Sequence, residues 1–205
     1  MSRPTDTLSA APGIRPERFQ LAVFGALAGV MLLTRSHALT HVVHLPATAL
    51  ASYFVLGYFV RRASAFAALF ALGWGIDVVS IGMLGVSDFC YTPAYLMLVP
   101  AYGVMWVAGR QVRMLPERAA SIPLALFTLV AATFVSHLCS SGGFYAFSGR
   151  FPEPTIAGFL PRLARYFPMT LTSSLMWTGV AAALWMLVRT ARPALARAFA
   201  QSKAR

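Results

Sequence analysis

From residue 19 to residue 188 the chain repeats one pattern: a long run of apolar residues, then a short cluster of Arg, Pro or Gly. Six runs stand out, at 19–34, 42–60, 63–84, 92–109, 119–139 and 166–188. The longer ones match the roughly 20 residues that a helix needs to cross a bilayer. They are continuously apolar and lack the period-two alternation of a membrane β-barrel, so the pattern predicts six transmembrane helices. The first run is short and is expected to rely on Arg18 and Arg35 snorkelling toward water at its ends. Arg35 also stands where a signal peptide would carry small residues, so this run is expected to remain as a span.

Composition agrees with the pattern. Of 205 residues, 58% are hydrophobic and 11% charged, which leaves too little polar surface to cover a soluble domain. The expectation is an all-α integral membrane domain at 19–189 between basic tails at 1–18 and 190–205 that rest on anionic headgroups. A net charge of +11 would suggest nucleic acid if it formed a patch on a folded surface, but it follows the spans, and no nucleic-acid partner is expected. With the N-terminus inside, Arg3, Arg15, Arg18, Arg61, Arg62, Arg110, Arg113, Arg118, Arg189, Arg192, Arg197, Lys203 and Arg205 face the cytoplasm. Only Arg35, Arg150, Arg162 and Arg165 of the 17 basic residues lie outside. The excess of inside charge predicts that both termini are cytoplasmic.

Candidate chemistry gathers on the outer side, in the stretch from Asp77 to Tyr95. An acid within an apolar span is expensive, so Asp77 marks either a ligand site or an ion pair with an Arg that holds helices together. Cys90 and Cys139 both map to the outer face, where they can form a disulfide if their Cα atoms lie within about 7 Å. Alternatively, Cys90 presents a soft thiolate, which suits a transition metal already held in a macrocycle. Tyr91, Tyr95 and Arg162 or Arg165 complete this polar set. His37, His41 and His44 share one helical face, as metal ligands or as the polar start of an interfacial helix. The stretch from Ser140 to Pro154 reads as a flexible loop, with Gly142, Gly143 and Gly149 for turns and Phe144, Tyr145, Phe147 and Phe151 as a lid or an interfacial anchor. Thr170, Thr172, Ser173, Ser174 and Thr178 line a pocket or bond to their own helix and its neighbours. In the first run, Ala22 and Ala26 and the pair Gly25 and Gly29 form a small-residue face on which a helix of this chain or of a partner can pack.

No Walker loop, G-x-S-x-G, H-E-x-x-H or C-x-x-C motif occurs, so ATP hydrolysis by P-loop chemistry would need another subunit. The six-span plan, the outward cavity and the small-residue first span resemble the S components of energy-coupling-factor (ECF) vitamin transporters. An Asp in the third span, Phe89-Cys90-Tyr91 in the following loop, Tyr95 five residues after the cysteine and Arg162 before the last span resemble BtuM, a family of small bacterial cobalamin (vitamin B12) transporters.

The resemblance implies an ECF S-component-like fold in a bacterial inner membrane, with cobalamin as transported ligand and no prosthetic group. It implies Cys90 on the cobalt and Asp77, Tyr95 and Arg162 on the corrinoid's periphery, with Arg165 as the alternative arginine. The broad corrin faces suit Phe89, Tyr91 and Phe144, and the amide fringe needs donors and acceptors. Cys90 is also the candidate catalytic residue for removing the cyano ligand of cyanocobalamin. Ala22, Gly25, Ala26 and Gly29 would meet an ECF-type energising module. Three other readings stay open: a divalent transition-metal permease using His37, His41, His44, His137 and Cys90, a noncatalytic membrane subunit docked through its GxxxG face, and an S component for another vitamin, against which Cys90 argues.

Overall fold

The computed structural model describes residues 17–35 and 47–203. His37, His41 and His44, the first sixteen residues and the side chains of Cys90 and of residues 192–203 lie outside that description. The described chain is helical, with no strand. Its elements are α1 (Glu17–Arg35), α2 (Ala49–Phe59), α3 (Ala63–Met83), α4 (Leu98–Met114), α5 (Ile122–His137), α6 (Gly143–Phe147) and α7 (Ile156–Lys203). Short 3₁₀ turns cover Asp88–Cys90, Pro93–Met97 and Ala119–Ser121, and a π turn over Leu138–Gly142 joins α5 to α6. Among the described residues four segments are long and apolar enough to cross a membrane: Glu17–Arg35, Ala63–Met83, Ala119–Phe147 and Ile156–Ala191. The chain is therefore a helical membrane protein by length and composition.

Helix α2 is the centre of the bundle. It is apolar on every side and buried almost throughout, as a helix enclosed by other helices must be. Its main partner is α4, with α7 and α1 on its other flanks; α5 packs on α4 and α7, while α3 packs chiefly on α1. The α2–α4 contact brings backbone to backbone. A Cβ on Gly57 would collide with the carbonyl of Trp106, and one on Gly109 with the carbonyl of Phe54. Each helix thus offers a glycine to the other's peptide group, the close approach that small residues permit in membranes. Tyr53 stacks on Tyr102 across the same seam, with ring centroids 4.4 Å apart.

Three expectations change. The close-packed glycines are Gly57 and Gly109, whereas a Cβ on Gly25 or Gly29 would meet nothing within 4 Å; among the described residues no helix covers those two positions. The span expected at 119–139 continues through Gly142 and Gly143 to Phe147. Those two glycines are helical, and of the three glycines in that stretch Gly149 alone takes a left-handed φ, of 70°. Gly143 is there for space, since its Cβ would lie 2.6 Å from Met97 Cγ. The last helix begins at Ile156, ten residues before the expected 166, and carries Pro161 and Pro168 within it, each at the loss of one backbone hydrogen bond. At 48 residues α7 is about 72 Å long, more than twice the hydrocarbon thickness.

Substituting Ala for Gly57 or Gly109 is expected to cost about 1–3 kcal/mol through overpacking. Gly25→Ala and Gly29→Ala should stay within about 0.5 kcal/mol of the parent. Denaturant midpoints of the four variants in one detergent check the contrast.

Candidate functional site

Arg35 ends α1 and Asp77 lies three-quarters of the way along α3, and the packing of α1 on α3 brings them together. The guanidinium grips the carboxylate with both prongs: Nε donates to Oδ1 at 2.6 Å and Nη2 to Oδ2 at 2.7 Å. Both side chains are only 20% exposed. Tyr95 Oη donates to the same Oδ2 at 2.8 Å, and Arg35 Nη1 reaches Tyr102 Oη at 3.4 Å. Gly73 leaves room for this, with a Cβ there falling 3.3 Å from Arg35 Nη1. The ion-pair reading of Asp77 is thus realised, and Arg35 turns inward instead of snorkelling to water. The physical reason is that an unpaired carboxylate in hydrocarbon costs several kcal/mol, and Arg is the best-shaped partner for it.

The carboxylate is nearly saturated. It has about four lone-pair sites, and Arg35 and Tyr95 occupy three through the bonds described. A ligand hydrogen bond to Asp77 has one site left unless Arg35 or Tyr95 moves. Tyr95 is accordingly held by its bond to Asp77 and packs on Tyr91 at 5.3 Å between ring centroids. Tyr91 Oη accepts from Trp74 Nε1 at 3.0 Å.

A second group forms where α6 meets the loop before α7. Phe89 packs on Phe144 at 5.7 Å, Phe144 on Phe151 at 6.2 Å and Tyr145 on Phe151 at 4.8 Å. Arg150 lies over Phe89 at 4.8 Å. Arg162 lies over Phe151 at 4.5 Å and near Tyr145 and Tyr166, with its buried Nε lacking a hydrogen-bond partner among the described residues. Arg165 instead sits over Tyr166 on the exposed side of α7. Of the two arginines, Arg162 is the one joined to the ring cluster that includes Phe89 and Phe144.

The two groups meet in three consecutive residues. Phe89 belongs to the second and Tyr91 to the first, and Cys90 lies between them at the end of the 3₁₀ turn Asp88–Cys90, which Ser87 caps by accepting from Phe89 N–H at 3.2 Å. Phe89 and Tyr91 remain 48% and 43% exposed. Cys139 is a free thiol, half-buried against the core.

His137 is buried at the end of α5, and its Nδ1 shares a hydrogen bond of 3.1 Å with Thr170 Oγ1. Among the described residues no three His, Cys, Asp or Glu side chains cluster as a metal site would require. Thr170 and Thr172 also bond back to the carbonyls of Tyr166 and Pro168, the local bonding expected of helix hydroxyls. Sequence reasoning missed Arg35, Trp74 and Tyr102 as members of the site. For Arg35 the signal was present: it is the basic residue nearest the outer half of the first span, facing the one acid of the third.

A double-mutant cycle over Arg35→Met and Asp77→Asn is expected to give a coupling of about 1–3 kcal/mol. Each single change strands one charge; Arg35→Met should be the more damaging, because the guanidinium left by Asp77→Asn ends α1 and can turn to water, while the carboxylate left by Arg35→Met stays inside α3. Unfolding midpoints of the three variants provide the test. No protein-family model matches the chain, and no curated protein matches it.

Proposed function

We propose that this chain takes up cobalamin across the bacterial inner membrane, as a six-span protein with both termini cytoplasmic and an ECF S-component-like fold. What carries the reading is the arrangement around Cys90: a cysteine position between two exposed aromatic rings, each braced from a different side. Phe144 and Arg150 hold Phe89, and Trp74 and Tyr95 hold Tyr91. A flat macrocycle with a metal at its centre needs a soft axial ligand amid apolar contact area, with polar groups only at the rim. Asp77, Tyr95 and Arg162 are the rim groups in this reading, and Arg162 brings a buried donor that is still free. Helix α2, apolar and enclosed, and the helical run from Pro93 to Met114 support two spans beyond the four that length alone identifies.

Two steps follow from the residues. Asp77, nearly saturated by Arg35 and Tyr95, acts mainly by fixing the Tyr95 hydroxyl and through it the ring of Tyr91. At Cys90 the thiolate replaces cyanide on cobalt(III): a cobalt–sulfur bond forms, the cobalt–carbon bond breaks and cyanide leaves with its electron pair. No change of oxidation state is needed. The unmatched small residues Gly25 and Gly29 leave a face that an energising partner would use.

Purified protein incubated with cyanocobalamin and freed of excess ligand should retain corrinoid at about one per chain, with its cobalt-sensitive visible bands shifted. In Cys90→Ala the bands should return toward those of the free vitamin. A wild-type protein that retains no corrinoid would overturn the assignment, and identical spectra in both proteins would remove the sulfur ligand.

A further inference from the structure

Away from the site, α1, α2 and α7 border an open, apolar groove of about 470 Å³ on the flank of the bundle. On α1 it is lined by Phe19, Ala22, Ala26 and Val30, which follow one another at intervals of three, four and four and so form a single stripe. The α7 wall carries Trp177 and Trp185. Apart from two hydroxyls the lining is hydrocarbon and indole. Eleven residues of helix separate Phe19 from Val30, about 16 Å, which is half of a hydrocarbon core of about 30 Å. The groove therefore has the length of one leaflet.

Its two ends differ in charge. Beside Phe19 the exposed Arg18 opens α1, and the exposed Arg61 follows α2 at the same end. The acids there are engaged: Glu17 pairs with Arg62 at 2.7 Å and Glu117 with Arg189 at 2.5 Å. At the far end Arg35 is turned away into its bond with Asp77. The groove is also narrow. Phe19 and Trp185 close to 5.4 Å between ring centroids, linking α1 to α7 across its basic end, whereas a helix with its side chains needs about 10–12 Å. The touching rings leave no passage between them, so an occupant lies along the furrow over Ala22 and Ala26, which a single strand of methylenes fills.

We infer that this groove holds one acyl chain of an anionic phospholipid from the leaflet at the arginine end, with Arg18 and Arg61 on its phosphate. The inference is independent of the cobalamin reading and rests only on the chain being a membrane protein. The four tryptophans make it measurable. In the full chain carrying Trp74→Phe and Trp106→Phe, emission comes from Trp177 and Trp185 alone.

Titration in detergent with phosphatidylglycerol brominated on its acyl chains should quench this emission saturably. Half-saturation should come at roughly ten-fold lower concentration than with brominated phosphatidylcholine. Arg18→Gln with Arg61→Gln should erase the headgroup difference, and Ala22→Leu with Ala26→Leu, which fills the groove, should abolish the saturable component. Linear quenching that is equal for both lipids would overturn the proposal, since any lipid-facing indole gives that result. So would tryptophans shielded from both lipids in a protein that light scattering shows to be a dimer, which would assign the groove to a second copy. Should the groove-filled variant fail to fold, the comparison of the two lipids on the unfilled groove decides alone.

Discussion

A carboxylate in hydrocarbon has to be neutralised, and the Arg35–Asp77 pair is how this bundle does it. The rest of this end of the bundle depends on that bond. It ties the end of α1 to α3, next to the Thr34–Thr48 hydroxyl contact of 2.8 Å that ties α1 to α2. Through Oδ2 it sets Tyr95, and Tyr95 in turn sits against Tyr91, whose hydroxyl is held by Trp74. Through Nη1 it reaches Tyr102, which stacks on Tyr53 in the α2–α4 seam. One ion pair thus connects the loop that carries Cys90 to the tightest helix contact in the molecule. A bidentate guanidinium fixes both distance and plane, which a lysine at the same position would not do.

Much of the architecture is legible in the amino-acid order because hydrocarbon thickness imposes a length on apolar runs. The third run, expected at 63–84, is the helix Ala63–Met83, and the clusters at Arg61–Arg62 and Pro116–Arg118 lie between helices. What escapes is set by three-dimensional packing. Gly142 and Gly143 look like a turn in the sequence, but a helix continuing past a π turn has its own use for a missing side chain when Met97 lies across it. Gly25 and Gly29 carry the familiar motif, while the glycines that admit a neighbouring backbone, Gly57 and Gly109, sit on separate helices and have no local signature at all.

The candidate site follows the same division. The residue types from Asp77 to Tyr95 announce polar chemistry, and the bond from Tyr95 to Asp77 lies within reach of that stretch. Arg35 is 42 residues from Asp77, and its place at the end of the first span is the one sequence signal for the pairing; that it chooses the acid over water comes from α1 packing on α3. The grouping of Phe89 with Phe144 and Phe151, and of that cluster with Arg162, likewise depends on α6 and α7 converging. Ring stacking has no spacing rule when the partners belong to different elements.

Helix α7 has a mechanical consequence. One continuous helix carries the Arg162 ring cluster near its first turns and, 27 residues on, the Arg189–Glu117 clasp. A rod longer than the membrane, pivoting where it crosses α2 and α5, moves its two ends in opposite directions. Any tilt of α7 that tightens the aromatic cluster would therefore strain the clasp at the other end of the bundle. The helix thus joins the ring cluster and the clasp mechanically along a single backbone.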